Sequence, residues 1–102
     1  MNLTEICQIL GTNKEDIRSS KRNKDTCFNR HLICYFLFMN GIKRPLIAEI
    51  VNREWHTVFH SIKVIESFLS INDMETIEKL DEMYDYLAKN NPPKNPIANV
   101  IQ

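Results

Sequence analysis

The side chains best suited to specific chemistry lie within residues 43–63. Pro45 predicts the start of a short helix that ends near Asn52, because proline favours the first positions of a helix. A second helix then begins with polar and aromatic side chains bunched in its predicted first turn: Arg53, Glu54, Trp55, His56 and Thr57. A packed helix, a tight turn and a second helix with such side chains at its start is the layout of a helix-turn-helix. The second helix of that motif enters the major groove of DNA.

The second helix offers groups for both kinds of DNA contact. Arg53 and Lys63 carry charges that can neutralise phosphates. Arg53, His56 and Thr57 can also offer hydrogen bonds or a methyl contact to base edges, and His60 follows one turn later. An alternative stays open, in which this is an ordinary surface helix whose tryptophan packs as an anchor.

Two short basic segments frame the predicted central helix. A loop holding Lys21, Arg22 and Lys24 precedes this helix, and Lys43 with Arg44 follows it. In a small bundle both segments could face one duplex, with the loop placed for phosphate contact or as an arm in the minor groove. A plain solvated loop is the alternative for so short a run.

The charge of the chain is unevenly distributed although its total is zero. Residues 21–63 hold eight Lys or Arg against three acids, a local net charge of +5. Residues 1–20 carry −1 and residues 64–102 carry −4. The central segment therefore favours a polyanionic partner such as double-stranded DNA, and the acidic helix predicted over residues 73–89 could bind a protein partner.

Enzyme chemistry is not expected. His56 and His60 have the spacing of two metal ligands on one helical face, but no adjacent glutamate base or third ligand accompanies them. Glycine-rich phosphate loops and nucleophile–histidine arrangements are absent from the sequence. His31, inside an apolar helix, is interpreted as a partly buried histidine. We predict no catalytic residue, no metal and no cofactor.

Length and composition predict one domain. The chain has 102 residues, of which 43% are hydrophobic, enough for a single core. We place this domain at residues 1–90 and a proline-rich tail at residues 91–102. Cys7, Cys27 and Cys34 lack paired spacing and are predicted to be small core residues in a reducing compartment. The apolar run at residues 32–39 is far too short for a membrane span and no secretory signal is visible, so a cytoplasmic protein is expected.

Local signals divide the chain into six helices and no strand, an all-α bundle ending in an amphipathic helix. We predict helices at residues 3–10, 14–18, 25–39, 45 to about 52, 53–69 and 73–89. Their predicted caps and stops are Asn2, Gly11, Asn13, Asn40-Gly41 and either Asn72 or Asp73. The residues of the short helices that are predicted to face inward are Ile17, Leu46, Ile47, Ile50 and Val51. The predicted apolar face of the last helix consists of Met74, Ile77, Leu80, Tyr84 and Leu87. The predicted central core is Leu32, Tyr35, Phe36, Ile50, Val58, Ile62 and Ile65.

The order of these features resembles the C-terminal DNA-binding domain of the bacterial replication initiator DnaA. The resemblance covers roughly residues 5–70 and rests on the Ser-Lys-Arg of the loop, the long central helix, Ile-Ala-Glu-Ile at residues 47–50, and residues 53–65. The family signature runs Gly-Arg-Asp-His-Thr-Thr-Val, then a hydrophobic residue, His and a small residue. This resemblance implies a helical domain that inserts its second helix into the major groove of an origin box while the basic loop touches the neighbouring minor groove.

Carried over by position, Arg53, Glu54 and Thr57 match the signature, and Lys21 and Arg22 match the basic loop. Four positions depart from the family pattern: Trp55 replaces the base-reading His, His56 replaces the first Thr, Asn23 falls near the place of the minor-groove Arg of the loop, and Asn52 replaces the glycines of the turn. The ATPase domain of a full initiator is also missing from this sequence. Three roles follow as hypotheses: replication initiation or its control, a small transcriptional or mobile-element regulator, and a protein-interaction module that does not bind DNA.

Overall fold

A computed structural model of the chain describes residues 3–90 as six α-helices, without a strand among them. Their bounds are α1 (Leu3–Leu10), α2 (Lys14–Arg18), α3 (Lys24–Met39), α4 (Arg44–Val51), α5 (Trp55–Ser70) and α6 (Met74–Asn90). The all-α fold predicted from the sequence is confirmed. The predicted cap Asn2 and the predicted tail at residues 91–102 lie outside the described residues.

Side-chain caps begin two of the helices. The Asn13 side chain accepts a hydrogen bond from the Asp16 N–H at 2.8 Å at the start of α2, as predicted. At the start of α6, Asp73 Oδ2 accepts from the Thr76 N–H at 3.1 Å and from the Thr76 hydroxyl at 2.7 Å. Asp73 is therefore the cap of α6, and Asn72 instead occupies the left-handed turn that precedes it, with φ of 57°.

α3 is the central element and packs against α2, α4, α5 and α6. α1 lies at the periphery against α2 and α6. Gly41, with φ of 89°, takes the left-handed turn that ends α3, as the Asn-Gly pair predicts. The buried apolar residues form one cluster: Ile6, Cys7, Leu10, Ile17, Leu32, Ile33, Cys34, Phe36, Leu37, Ile42, Ile47, Ala48, Val51, Val58, Ile62, Ile65, Leu80, Met83 and Leu87.

The predicted central core is confirmed for five of its members: Leu32, Phe36, Val58, Ile62 and Ile65. Tyr35 and Ile50 are only partly buried and pack against the edge of the cluster. The prediction that Leu46 points inward is wrong, since 48% of it is exposed. α4 has only eight residues, and its inward positions are taken by Ile47, Ala48 and Val51.

The inward face of α6 is rotated relative to the prediction. Met74 is 61% exposed and Tyr84 is 38% exposed. The residues that α6 buries lie at spacings of four, three and four: Thr76, Leu80, Met83 and Leu87. Thr76 fits this face because its hydroxyl is paired with the cap of the same helix. Between residues 3 and 90, no helix combines the length and the apolar character needed to cross a membrane.

Candidate nucleic-acid interface

The turn between α4 and α5 is tied to the end of α2. Asn52 adopts a left-handed conformation, with φ of 57°, and its Nδ2 donates to the Arg18 carbonyl at 3.0 Å. Arg18 Nη1 donates in return to the carbonyls of Glu49 at 2.8 Å and Ile50 at 2.9 Å. These carbonyls belong to the last turn of α4, where no further helical turn supplies donors, and the Glu49 carbonyl also accepts from the Asn52 N–H at 3.3 Å. The asparagine thus supplies the left-handed residue with which this helix end turns.

Arg53 belongs to this turn rather than to the second helix. α5 begins at Trp55, with Glu54 in the N-cap position, so the prediction that Arg53 and Glu54 lie in its first turn is wrong. The Arg53 N–H bonds back to the Ala48 carbonyl at 2.9 Å, which together with the left-handed Asn52 closes α4 in a Schellman arrangement. The backbone of Arg53 is therefore used to end one helix before the next begins.

Arg30 organises the basic loop, a role that was not anticipated from the sequence. It lies in α3 and is 5% exposed. Its Nε donates to the Ile17 carbonyl at 2.9 Å, and its Nη2 lies 3.4, 3.4 and 3.2 Å from the carbonyls of Asp16, Ser19 and Lys21. One guanidinium thus holds the end of α2 and the first half of the loop. An arginine next to the apolar run at residues 32–39 was the signal that could have identified it.

The Arg53 guanidinium reaches the same loop from the opposite side. Its Nη1 donates to the Asn52 carbonyl at 2.9 Å, and its Nη2 donates to the Ser19 carbonyl. Ser19 therefore accepts hydrogen bonds from two guanidinium groups, those of Arg30 and Arg53. The loop and the turn between α4 and α5 are held together as one surface.

Replacing Arg30 with methionine is expected to lower the free energy of unfolding by about 2 kcal/mol. Methionine has a similar length but removes a donor from four carbonyls of α2 and the loop, those of Asp16, Ile17, Ser19 and Lys21. Asp16 and Ser19 keep other donors, so the cost comes mainly from the carbonyls of Ile17 and Lys21, which carry a desolvation penalty if they stay buried. Chemical denaturation of the two proteins measures the difference. Arg22→Met is the matched control, because Arg22 is exposed and should change stability by less than about 0.5 kcal/mol. Equal losses in the two variants would contradict the assigned role.

A groove of about 620 Å³ lies between the loop and α5. The side chains that line it are cationic, imidazole or hydroxyl groups, a cysteine and an amide: Arg18, Ser19, Ser20, Arg22, Cys27, Arg30, His31, Asn52, Arg53, Thr57, His60 and Ser61. None of these residues is acidic. Of the residues predicted to bind DNA, the groove brings together Arg22, Arg53, Thr57 and His60.

The outward face of α5 carries the other predicted contact residues. His56, Phe59, His60 and Lys63 are exposed on it. Trp55 is 63% exposed, so the alternative in which it packs as an anchor is wrong. Its ring lies edge to face on that of its neighbour His56, with 6.0 Å between centroids. Val58, in the first turn of α5, is instead fully buried and belongs to the core cluster.

Phe59 links α5 to the second basic segment. The guanidinium carbon of Arg44 lies 5.4 Å from the centre of its ring, and Lys63 Nζ lies 5.3 Å from it. Phe59 is 42% exposed, so both cations sit at the protein surface beside an aromatic ring. Lys63 also pairs with Glu66 at 3.6 Å, a contact between exposed groups. Phe59 was not predicted as a site residue, although an aromatic residue on the outward face was a visible signal.

The remaining predicted cations are exposed around these features. Lys21 pairs with Asp16 at 3.1 Å, while Lys24 and Lys43 stand at the starts of α3 and α4. His56 lies 3.3 Å from Glu54, an ion pair when the imidazole is protonated.

His31 joins α3 to α5 beneath the groove. Its Nδ1 lies 2.7 Å from the Ser61 hydroxyl, and its ring meets that of His60 edge to face at 5.9 Å. Burial lowers the pKa of His31, and the neighbouring His60 and Arg30 lower it further. The partly buried histidine predicted at this position is confirmed, and its hydrogen bond explains why the buried Ser61 is tolerated in α5.

The cysteines differ in burial and form no metal-holding cluster with other side chains in the described part of the chain. Cys7 and Cys34 are buried, as predicted for core residues, and burial raises their thiol pKa to about 11 and about 12. Cys27 is half-buried at the groove wall. Within residues 3–90, no group of three or more His, Cys, Asp or Glu side chains is placed to hold a metal ion.

Comparison with known proteins gives no match: no family model, no curated protein and no solved structure is significantly similar to this chain.

Proposed function

We propose that this chain is a sequence-specific double-stranded DNA-binding domain without ATPase activity. In this proposal α4 and α5 are the two helices of a helix-turn-helix, and α5 enters the major groove. The loop between α2 and α3 contacts the backbone or the adjacent minor groove. His56 and Trp55, in the first turn of α5, contact base edges, and Thr57 and His60 contact the DNA from the groove that they line.

The observation that carries the proposal is the position of α5 between two basic segments. On one side Arg22 lines a groove together with Thr57 and His60. On the other side Arg44 packs against Phe59. Because the outward face of α5 lies between these cations, a duplex placed along that face would meet positive charge on both of its flanking backbones.

The start of α4 gives a second line of support. Its N-cap residue Lys43 makes no capping hydrogen bond, its first residue is Arg44, and no acid lies in its first turn. Cations at a helix N-terminus oppose the helix dipole, whereas α2 and α6 begin with the capping side chains of Asn13 and Asp73. A bound phosphate at the start of α4 would offset this repulsion.

The resemblance to the DnaA C-terminal domain makes binding at a replication origin, or control of such binding, the first biological role to test. With bacterial DNA as the partner, the chain would act in the cytoplasm. A small transcriptional or mobile-element regulator that occupies an operator is the alternative. Selection of bound sites from random DNA tests both, since recovery of a DnaA-box sequence supports the first role and an unrelated sequence supports the second.

A protein-interaction module is the alternative from another class. It is favoured by α6, which exposes five acids on one side: Glu75, Glu78, Asp81, Glu82 and Asp85. A gel shift at low salt distinguishes this role from DNA binding. A chain that forms no complex with any DNA at low salt would contradict the DNA-binding proposal and leave the acidic helix as the candidate surface.

Replacing His56 with alanine is expected to weaken binding to the selected site by roughly 1–3 kcal/mol and to reduce sequence preference. His56 is exposed at the start of α5 and pairs with the exposed Glu54 when protonated. Fluorescence anisotropy titrations on the selected site and on scrambled DNA measure the two affinities.

Lys21→Ala is the companion variant, which should weaken binding to both DNAs alike and flatten the salt dependence by about one unit. Lys24→Ala repeats this test with an exposed cation that has no ion pair among residues 3–90, unlike Lys21, which pairs with Asp16. The assigned roles are wrong if His56→Ala weakens both DNAs equally while the lysine variants affect only the selected site.

A further inference from the structure

The groove between the loop and α5 concentrates positive charge that no acid offsets. The guanidinium groups of Arg30 and Arg53 converge on one neutral acceptor, the Ser19 carbonyl. Arg18 and Arg22 also line the groove. Buried arginines are normally paired with carboxylates, because neutral carbonyls satisfy the hydrogen bonds but leave the charge in place.

The arginines of the groove repel one another because their positive charges lie close together. Burial lowers the pKa of Arg53, and the charges of Arg30 and Arg22 lower it further. The nearest carboxylate in the loop region, that of Asp16, is engaged by Lys21 at 3.1 Å. An anion in the groove would therefore be attracted by several fixed charges at once, and it would relieve repulsion that the folded chain already contains.

Direct donors stand at the rim of the groove. Arg22, the Ser20 hydroxyl, the Thr57 hydroxyl and the His60 imidazole line it, and none of them makes a hydrogen bond with another residue in the part of the chain described. The positions of Arg30 and Arg53 are fixed by carbonyls on the loop and the turn, so they act as positioning and field-generating residues. The arrangement resembles a preorganised phosphate site, in which charges held in fixed positions lie behind a few side chains whose hydrogen-bond donors are free to contact the ligand.

We propose that this groove binds a phosphate group through Arg22, Thr57 and His60. Where the phosphate belongs to DNA, it is a single backbone phosphate beside the bases contacted by α5, and this assignment of its source rests on the proposed function. A free phosphorylated ligand would use the same donors. The two sources differ in the surface that they need. A DNA phosphate requires the outward face of α5 beside the groove, and a free phosphorylated ligand does not.

Two arms of one experiment distinguish the sources. In the first, DNA carrying the selected site is substituted one phosphate at a time with an uncharged methylphosphonate. One position should lower the affinity of the parent on the order of tenfold, as expected for loss of a charged hydrogen-bond acceptor. That loss should disappear in Arg22→Gln and Thr57→Val, because these variants lack the groove donors. Lys89→Ala, which removes a cation from α6, should retain it.

In the second arm, pyrophosphate is titrated into the free protein at constant ionic strength and followed by NMR. Saturable shifts confined to residues 19–22 and 57–61, and lost in Arg22→Gln, identify a site for a free phosphorylated ligand. Arg22 is exposed and Thr57→Val preserves side-chain shape, so both variants should have the melting temperature of the parent protein. The groove proposal is overturned when neither arm gives its signal, even if DNA binding itself is observed. If the chain binds no DNA, the pyrophosphate arm alone decides.

Discussion

Replacing Phe36 with alanine is expected to lower the free energy of unfolding by about 3–5 kcal/mol, the largest single effect on stability that we predict. Phe36 lies in the last third of α3, is fully buried, and packs edge to face on Tyr84 of α6 with 4.9 Å between ring centres. Its removal would leave a cavity where α3 and α6 meet. Chemical denaturation with a linear extrapolation to water measures the change.

Phe38 provides the matched control on the same helix. It is 39% exposed, so Phe38→Ala removes the same atoms without opening an internal cavity, and a loss below about 1 kcal/mol is expected. Similar losses at the two positions would show that burial on α3 does not set the stability of the fold.

DNA affinity is expected to fall steeply with salt, the second large effect. Six exposed cations surround α5: Lys21, Arg22, Lys24, Lys43, Arg44 and Lys63. If most of them neutralise phosphates, the slope of log affinity against log salt is about −3 to −5, at roughly 0.9 per phosphate. Raising the salt from about 50 to 200 mM would then weaken binding by roughly 60- to 1000-fold. Anisotropy titrations at four or more salt concentrations measure the slope.

The buried Arg30 is omitted from this group because its guanidinium faces loop carbonyls and is shielded from solvent. Lys89→Ala should leave the slope unchanged, since Lys89 pairs with Asp85 on α6. A slope shallower than about −1 in the parent protein would contradict the electrostatic role assigned to residues 21–63, whatever the affinity at low salt.

Much of the helical architecture follows from short-range sequence signals, namely capping residues, helix-ending residues and apolar patterns. Asn13 caps α2 and Gly41 ends α3 because each acts on backbone groups within a few residues of itself. The apolar circumference around Phe36 also marks α3 as the central helix without reference to any partner. The layout of two helices and a turn, and the cations on either side of them, are visible in the same way.

The construction of the candidate site depends on contacts between residues far apart in the chain. Arg53 meets Ser19 across 34 positions, and Arg30 reaches carbonyls 9 to 14 residues away. A local pattern cannot specify such pairs, so Arg53 was placed in the helix that follows it and the role of Arg30 was missed.

Tertiary packing also determines which face of α6 is buried. Met74 and Tyr84 fit an apolar stripe as well as Thr76 and Met83 do, and the choice depends on the surfaces that α1, α3 and α5 present. Helical periodicity restricts which residues can share a face, but burial is a property of two facing surfaces. The groove exists for the same reason, since its walls come from a loop, a turn and three helices that meet only when the chain is folded.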